Sequence, residues 1–501
     1  MAEEVELKLA LAEVHQARFL RHPLLKQAVA RYVETLDNIY YDTTELSLRR
    51  RGIALRLRRK GRDWLQTVKL AGSSAAGLSS RPEWETPYSG HFDFSGVDDS
   101  SVREWLQRPK LLARIVPICE TRFRRITWKL PAAPGAVLLT LDRGWIIASG
   151  RREAISEVEL ELAGAPVHAI FGLANQLAQR TALTPAVWSK AERGYRLHVG
   201  APPAPFKAQA VELCAAMTPF EAFCRIGMSC LEHLQQNHSG ALSSEDPEYI
   251  HQMRIAARRL RAALRLFAPV LPENLAEPLR PSLLALMKQL GRTRDLDVLL
   301  AEIVNPVLAA LPDEPRLPAL AGDITNRCYA ARAQAIAMLA EPAYGRLLLT
   351  AIESLHARPA TERTMVTLTG FAQERLKRLR KKMRRLALAA QIDDPASLHA
   401  LRIGVKRLRY ALEFFSPLTR DAASLGVLKQ LTSLQDTLGQ LNDLANAGAV
   451  LMDCAGDDPR LREAVTLIGG WHGPRYAGLL ECITPELVRL GRLRLPRLAP
   501  A

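Results

Sequence analysis

The sequence predicts an α+β fold in two parts, an N-terminal half built on a large antiparallel sheet with flanking helices and a C-terminal half that is all α. Three observations carry this. Alternating polar and apolar runs dominate up to about residue 198, a Pro/Ala-rich stretch without periodicity fills 199–210, and from 211 to about 490 the pattern is Leu-, Ala- and Arg-rich at helical spacing. A chain of 501 residues also exceeds the length at which one core usually keeps growing.

The first strand is read in "EVELKLAL", residues 4–11, where Glu4, Glu6 and Lys8 share one face and Val5, Leu7 and Leu9 the other. Further strands are read in "LDNIYYD", "IALRLRRK", "WLQTVKL", "RPEWETPY", "CETRFRRITWKL", "AVLLTLDRGWIIAS" and "EAISEVELEL". Helices are expected over 22–35, 99–108 and 166–180. The charge pattern of the first strand recurs: Arg56 and Arg58 share a face, as do Glu83 and Glu85, and Glu157, Glu159 and Glu161. On one strand this is an ordinary solvated face.

The helical half repeats itself. "HQMRIAARRLRAAL" starts at His251 and "HALRIGVKRLRYAL" at His399, and Gly291 with Asp295 matches Gly439 with Asp443 at the same offset of 148 residues. A duplicated unit with preserved spacing implies two pseudo-symmetric helical bundles. On a helix His251, Arg254, Arg258, Arg261 and Arg265 fall within roughly an 80° arc, opposite Met253, Ala256, Leu260, Leu264 and Phe267. His399, Arg402, Lys406 and Arg409 repeat the stripe. Like charges on one helix repel, so an anionic counterpart is expected.

Composition agrees in sign. There are 68 Lys plus Arg against 52 Asp plus Glu, a net +16, and such a field concentrates polyanions. The seven cysteines are scattered without a Cys-x-x-Cys pair, so neither a zinc site nor a disulfide framework is suggested. The opening residues are acidic, so no secretory signal is expected, and no apolar run has membrane-spanning length. A cytoplasmic location fits best. "LAGSSAAGLSS", residues 70–80, lacks the Lys-Ser/Thr ending of a phosphate-cradling loop. Aromatics make up 6 % and hardly interleave with the basic stripes, which disfavours nucleic acid as a partner.

The duplicated His-led basic helices resemble the CHAD domain, an α-helical module, over residues 211–490. "EVELK" fits the Glu-x-Glu-x-Lys signature of the CYTH domain, the triphosphate tunnel metalloenzymes. With "LRLR", "TVK", "RPEWE", "LTLD", "EVELEL" and "WSKAERGY" in family order, that similarity runs over residues 1–198. Residues 199–210 would then be a linker and 491–501 a C-terminal tail.

The resemblance implies an antiparallel β-barrel tunnel whose polar lumen gathers side chains of both signs around a phosphate chain. Lys8, Arg56, Arg58, Lys69, Arg81 and Lys190 are the cations expected to hold it, with Arg122 or Arg124 adding another and Arg125 a rival in register. Carboxylates for Mg²⁺ or Mn²⁺ are expected from Glu4, Glu6 and Glu159 or its neighbours Glu157 and Glu161, with Glu83, Glu85 and Asp142 second. For the helical half it implies inorganic polyphosphate binding by His251, Arg254, Arg258, Arg259 and Arg261, and by His399, Arg402, Lys406, Arg407 and Arg409.

The implied function is metal-dependent hydrolysis of inorganic triphosphate in the tunnel, with polyphosphate bound by the helical domain and no membrane partner. A non-catalytic scaffold on polyphosphate granules is the alternative. Cyclase or thiamine triphosphatase chemistry, found elsewhere among CYTH proteins, is a further option for the tunnel.

Overall fold

Period-two alternation puts the two faces of each strand in different environments, and closing the sheet decides which face is wet. The computed structural model describes residues 3–70, 73–75, 77–200, 203–272, 275–356, 366–419 and 423–498, without the side chains of 3, 4, 73–75, 423 and 424. The strands are β1 (Glu3–Leu11), β2 (Ala30–Asp42), β3 (Ile53–Lys60), β4 (Asp63–Leu70), β5 (Ser73–Ala75), β6 (Leu78–Pro87), β7 (Val116–Pro131), β8 (Ala136–Ala148), β9 (Arg151–Ala163) and β10 (Leu183–Pro185). Their order β1-β9-β8-β7-β2-β3-β4-β6, with β6 returning to β1, closes eight antiparallel strands into the expected barrel. Short β5 extends β6, and β10 pairs with β1 at its far end.

Closure leaves polar side chains inside and apolar ones outside under helices. On β9, Glu157, Glu159 and Glu161 turn inward, while buried Val158 and Leu160 turn outward, where the helix Val167–Ala178 lies across the strand. Each such burial contributes about 1.5–3 kcal/mol. Shorter helices α1 (Gln16–Leu20), α2 (Ser47–Arg50), α3 (Ser100–Leu106) and α4 (Pro109–Leu112) join the strands, followed by α5 (Val167–Ala178) and α6 (Lys190–Val199).

The regions expected to be helical at 99–108 and 166–180 contain α3 and α5. The one over 22–35 does not form: Pro23–Gln27 is a single 3₁₀ turn, and from Ala30 the chain pairs with β7. Tyr32, Val33 and Thr35 in that segment favour the extended state.

Helix α6 closes one end of the barrel. Ser189 caps it through the Glu192 N–H, and the absent side chain at Gly194 lets its backbone pass directly over Cys119 and Ile146. Leu197 completes an apolar plug with Leu36, Phe123, Ile146 and Ile155.

The chain divides into two compact units, Met1–Ala204 with Ala340–His356, and Pro205–Leu339 with Ala357–Ala501. In the second, α7 (Pro219–Ser243), α8 (Pro247–Phe267), α9 (Arg280–Val298), α10 (Asn305–Ala310) and α11 (Arg316–Leu339) make one half of the repeat. After α12 (Pro342–His356), which belongs to the first unit, α13 (Leu368–Ala389), α14 (Pro395–Phe415), α15 (Ala423–Ala455) and α16 (Pro459–Gly491) make the other. Where α15 runs unbroken, the first half has a π-helical turn at Leu299–Val304 before α10. Pro306 in α10 lacks the N–H that a continuous α-helix would use there.

Four phenylalanines join the repeats. Phe223 and Phe371 are repeat-related by the same 148-residue offset, as are Phe267 and Phe415. Phe267 lies 5.8 Å from Phe223, 5.2 Å from Phe371 and 5.7 Å from Phe415 between ring centroids. In the segment read as a linker, the Phe206 N–H donates to Asn237 Oδ1 while Asn237 Nδ2 donates back to the Phe206 carbonyl, which ties it to α7. Among the described residues no single helix is long and apolar enough to cross a membrane.

Candidate active site and anion groove

The inward faces of the strands enclose a cavity of about 590 Å³. Lys8, Arg56, Arg58, Lys69, Arg81 and Lys190 line it, together with Glu6, Glu83, Glu85, Glu159 and Glu161. Asp142 and Glu157 are buried just beneath this wall. Eleven of the expected site residues thus converge from separate segments of the chain. Glu4 lies opposite Arg81 in the β1–β6 register, but its side chain is outside the described residues.

Two expected cations are not there. Arg122 is 72 % exposed at its side chain and pairs with Asp37, and Arg124 is also exposed. The inward positions of β7 are the odd ones, with Thr121 and Phe123 buried, so Arg125 is the residue in the cavity wall. The sequence left Arg125 as a rival because Arg124 and Arg125 are adjacent and the outer face of β7 turns apolar again at Ile126 and Trp128, under Phe19 of α1.

The deepest part of the wall is a dense ion cluster. Lys190 Nζ lies 2.7 Å from Asp142 and 3.0 Å from Glu159, and it also contacts Glu157. Arg125 makes a forked contact to Asp142 at 2.7 and 2.6 Å and reaches Glu159 at 2.6 Å. Arg193 from α6, which sequence reasoning did not select, holds Glu157 and Glu153. Burial alone would depress the pKa of Lys190, but the three carboxylates outweigh it and raise it well above the usual lysine value. The same balance keeps Glu159 ionised: burial opposes its charge, and Lys190, Lys8 and Arg125 push its pKa well below the ordinary range.

Asp142, Glu157 and Glu159 are close enough together to hold a metal ion. Lys190 already sits among all three, so in this arrangement the trio is a seat for an ammonium. Glu6 and Glu161 stand directly opposite each other on β1 and β9, both at the cavity wall. Glu6 already accepts from Arg81 and Ser79 and has Lys8 at 3.6 Å. Carboxylate oxygens from two facing strands make an all-oxygen edge of the kind a hard cation takes.

The other cations are matched unevenly. Arg56 reaches Glu83 at 3.4 Å and Glu85 at 3.8 Å, Lys69 reaches Glu83 at 2.7 Å, and Lys8 reaches Glu159 at 3.3 Å and Glu6 at 3.6 Å. Arg58 donates to Asn38 Oδ1 and forms no ion pair among the described residues. Burial, with Arg56 and Arg125 close by, lowers its pKa to about 10. It remains charged at neutral pH, with Glu85 partly offsetting it but no carboxylate at ion-pair distance among the described residues.

In the helical unit the two basic stripes converge. Arg258, Arg261 and Arg265 of α8 face Lys406 and Arg407 of α14 across a cavity of about 610 Å³, joined by Arg375 of α13. A neighbouring cavity of similar size brings Arg254 and Arg402 together, with Asp295 and Asp443 beside them. Burial lowers the Lys406 pKa to about 7, with Arg402, Arg258 and Arg254 adding to the shift.

Some expected members have other roles. Arg259 is 3 % exposed, pairs with Glu413 and lies over the Phe414 ring, so it ties the repeats together instead of facing the groove. It is one residue, about 100°, round the helix from Arg258. Arg409 is engaged by Gln435 and Glu413. His251 is pushed down to about 4 by burial and by Arg294, so it is uncharged at neutral pH, and His399 is hydrogen-bonded to Asn442.

The CYTH domain model matches residues 2–195, and the CHAD domain model residues 225–452. An inorganic triphosphatase of Haemophilus influenzae is 29 % identical over 198 residues. The match takes in 39 % of this chain and 55 % of that protein, so it spans little more than half of the curated relative's length. The crystal structure of the CHAD domain from the plant Ricinus communis is 36 % identical with a TM-score of 0.51, covering 59 % of this chain and 99 % of that one.

Proposed function

Because this chain belongs to the family that joins a CYTH domain to a CHAD domain, we infer that its barrel cavity hydrolyses inorganic triphosphate with a divalent metal, while its helical groove binds inorganic polyphosphate. The single observation that supports the first part most is Arg58, a charged guanidinium facing the cavity without an ion-pair partner among the described residues.

The charge count supports the metal. Seven cations, including Arg125, face the cavity, and seven carboxylates stand among or just beneath them. Such a wall is near neutral and cannot by itself offset about four to five negative charges of triphosphate, which hard divalent ions commonly help to neutralise. Glu6 and Glu161 would hold such an ion, which supplies charge neutralisation at the phosphate oxygens. Mg²⁺ or Mn²⁺ fits an all-oxygen donor set.

In this reading Arg58 and Arg56 hold the phosphate chain through forked donors, and Lys69 and Arg81 add point and forked contacts. Lys190 and Arg125, fixed by Asp142 and Glu159, provide donors that need no reorganisation as charge develops. Water attacks the terminal phosphorus in line as the bridging P–O bond breaks and pyrophosphate leaves, the water's proton passing to a cavity carboxylate and orthophosphate being the other product. Glu159 does not suit that task, since three cations keep it ionised.

Purified protein with Mg²⁺ or Mn²⁺ is expected to release phosphate from triphosphate and to stop when the metal is chelated. No release under either metal would overturn the assignment. A panel of triphosphate, nucleoside triphosphates, thiamine triphosphate and long polyphosphate fixes the substrate.

The groove gives a separate prediction. Lys406 in the free protein titrates near 7 because it is buried among Arg402, Arg258 and Arg254, with Asp443 only partly offsetting them. A bound polyanion favours its charged form, so binding above that pH takes up a proton and affinity falls as pH rises, by at most about tenfold per unit. Calorimetry in two buffers of different ionisation heat is expected to show that uptake at pH 8. Lys406→Arg, charged throughout, should remove it. Equal pH dependence in the two proteins would rule Lys406 out as the source.

A further inference from the structure

Helix α12 (Pro342–His356) lies in the helical half of the sequence, more than a hundred residues after the barrel ends, yet it is part of the barrel's unit. It packs on α5 and β10. Asn175 Nδ2 of α5 donates to Glu353 at 3.0 Å, and the rings of Phe171 and His356 lie 5.8 Å apart. Tyr344, Leu348, Leu349 and Ile352 are buried. At Gly345 the helix backbone meets β10 so closely that a Cβ would overlap the carbonyl oxygen of Leu183.

Beyond β10 stands the catalytic strand. Leu183, Thr184 and Pro185 pair with Leu11, Ala10 and Leu9 of β1. The next residue, Ala186, donates its N–H to the Lys8 carbonyl at 2.9 Å, while the Lys8 N–H donates to Gly77 at 2.9 Å. Lys8 therefore sits where β1 changes partner from β6 to β10. Its ammonium then reaches Glu159 at 3.3 Å and Glu6 at 3.6 Å. The path from α12 to the cavity has two steps, helix to β10 and β10 to Lys8.

We infer that α12 is the positioning element of the catalytic strand, holding β10 against β1 and so setting Lys8 in the cavity, with Gly345 as the residue that permits the approach. A side chain at 345 must lift α12 or push β10 inward, and in either case the Ala186–Lys8 hydrogen bond is the first to give. The inference rests on the proposed hydrolysis for its kinetic consequence alone. Its structural consequence stands without it.

The test uses full-length protein carrying Gly345→Val, Gly345→Ala, Glu353→Ala and, as a control on the exposed side of α12, Arg346→Ala. Two quantities are read, amide hydrogen exchange of the peptide spanning β1 and the KM for triphosphate with Mg²⁺. Loss of folded molecules lowers kcat at unchanged KM, whereas a displaced Lys8 changes KM in the molecules that survive.

Gly345→Val is expected to speed exchange in β1 by about tenfold or more and to raise KM by about threefold or more, the milder variants following in order. Arg346→Ala and the affinity of the groove for long polyphosphate should remain at wild-type values. Wild-type exchange in β1, or a lower kcat with unaltered KM across the series, would overturn the inference. If Gly345→Val does not fold, the Gly345→Ala and Glu353→Ala pair decides by the same criteria. If the wild type hydrolyses no triphosphate, the proposed function fails and the exchange measurement alone decides the role of α12.

Discussion

Arg58→Met is expected to reduce triphosphate hydrolysis by about 10²–10³-fold while leaving the barrel as stable as the wild type. The two halves of this expectation have one cause. Arg58 faces the cavity beside Arg56 and Arg125 and has no carboxylate partner among the described residues, so its charge is unfavourable until an anion arrives. Methionine keeps the length of the side chain and removes the charge. The loss on the folded side is one hydrogen bond to Asn38, worth about 0.5–1.5 kcal/mol, offset by relief of repulsion and desolvation. A thermal midpoint equal to or above wild type, combined with collapsed activity, identifies a cation held for substrate. A large fall in the midpoint would instead make Arg58 a structural residue.

Lys190→Met should do the opposite to stability. Its ammonium is the shared partner of Asp142, Glu157 and Glu159, all buried. Removing it leaves the three carboxylates to Arg125, Lys8 and Arg193 alone, and breaking a buried charge pair typically costs about 3–5 kcal/mol. For a unit of this size that is a fall of roughly 10 °C in the thermal midpoint. Hydrolysis should be lost as well.

The pH dependence of the variant gives a second signature. In the wild type the cations hold Glu159 ionised, so its stabilisation is complete above the usual carboxylate pKa and is lost only as pH falls through its depressed value. In the variant Glu159 keeps Lys8 and Arg125 but loses Lys190, the largest of the three charges that lower its pKa. The stability gap between wild type and variant should therefore narrow as pH falls below about 5, because Lys190 stabilises the ionised carboxylate. Urea titrations between pH 7 and pH 3 check this, and a gap that stays constant over that range would exclude the Glu159 charge as its cause.

Much of the barrel was legible because period-two alternation leaves little freedom: if Glu6 faces inward, Lys8 does too. The segments that failed are those where the alternation breaks. On β7 two adjacent arginines and a return of apolar residues on the outer face obscured the parity, and the folded neighbours Asp142 and Glu159 show that Arg125 is the inward one. Arg193 lies inside "WSKAERGY", yet its role appears only when α6 brings it over Glu157.

In the helical half the stripes were legible from spacing, but not that they face each other. The phenylalanine quartet could have supplied that, since two pairs at the repeat offset of 148 predict four rings near a pseudo-two-fold axis. Nothing in the composition of α12 could have assigned it to the barrel. An apolar helix reads alike whichever core receives it.

The central claim is that triphosphate and its metal meet inside the barrel, with the phosphates on Arg58 and the metal between Glu6 and Glu161. Anomalous diffraction from crystals soaked with Mn²⁺ and triphosphate tests it most directly. The account predicts a manganese peak within bonding distance of Glu6 and Glu161, with phosphate density against the Arg58 guanidinium. Manganese displacing Lys190 among Asp142, Glu157 and Glu159, or triphosphate bound only outside the barrel, would contradict it.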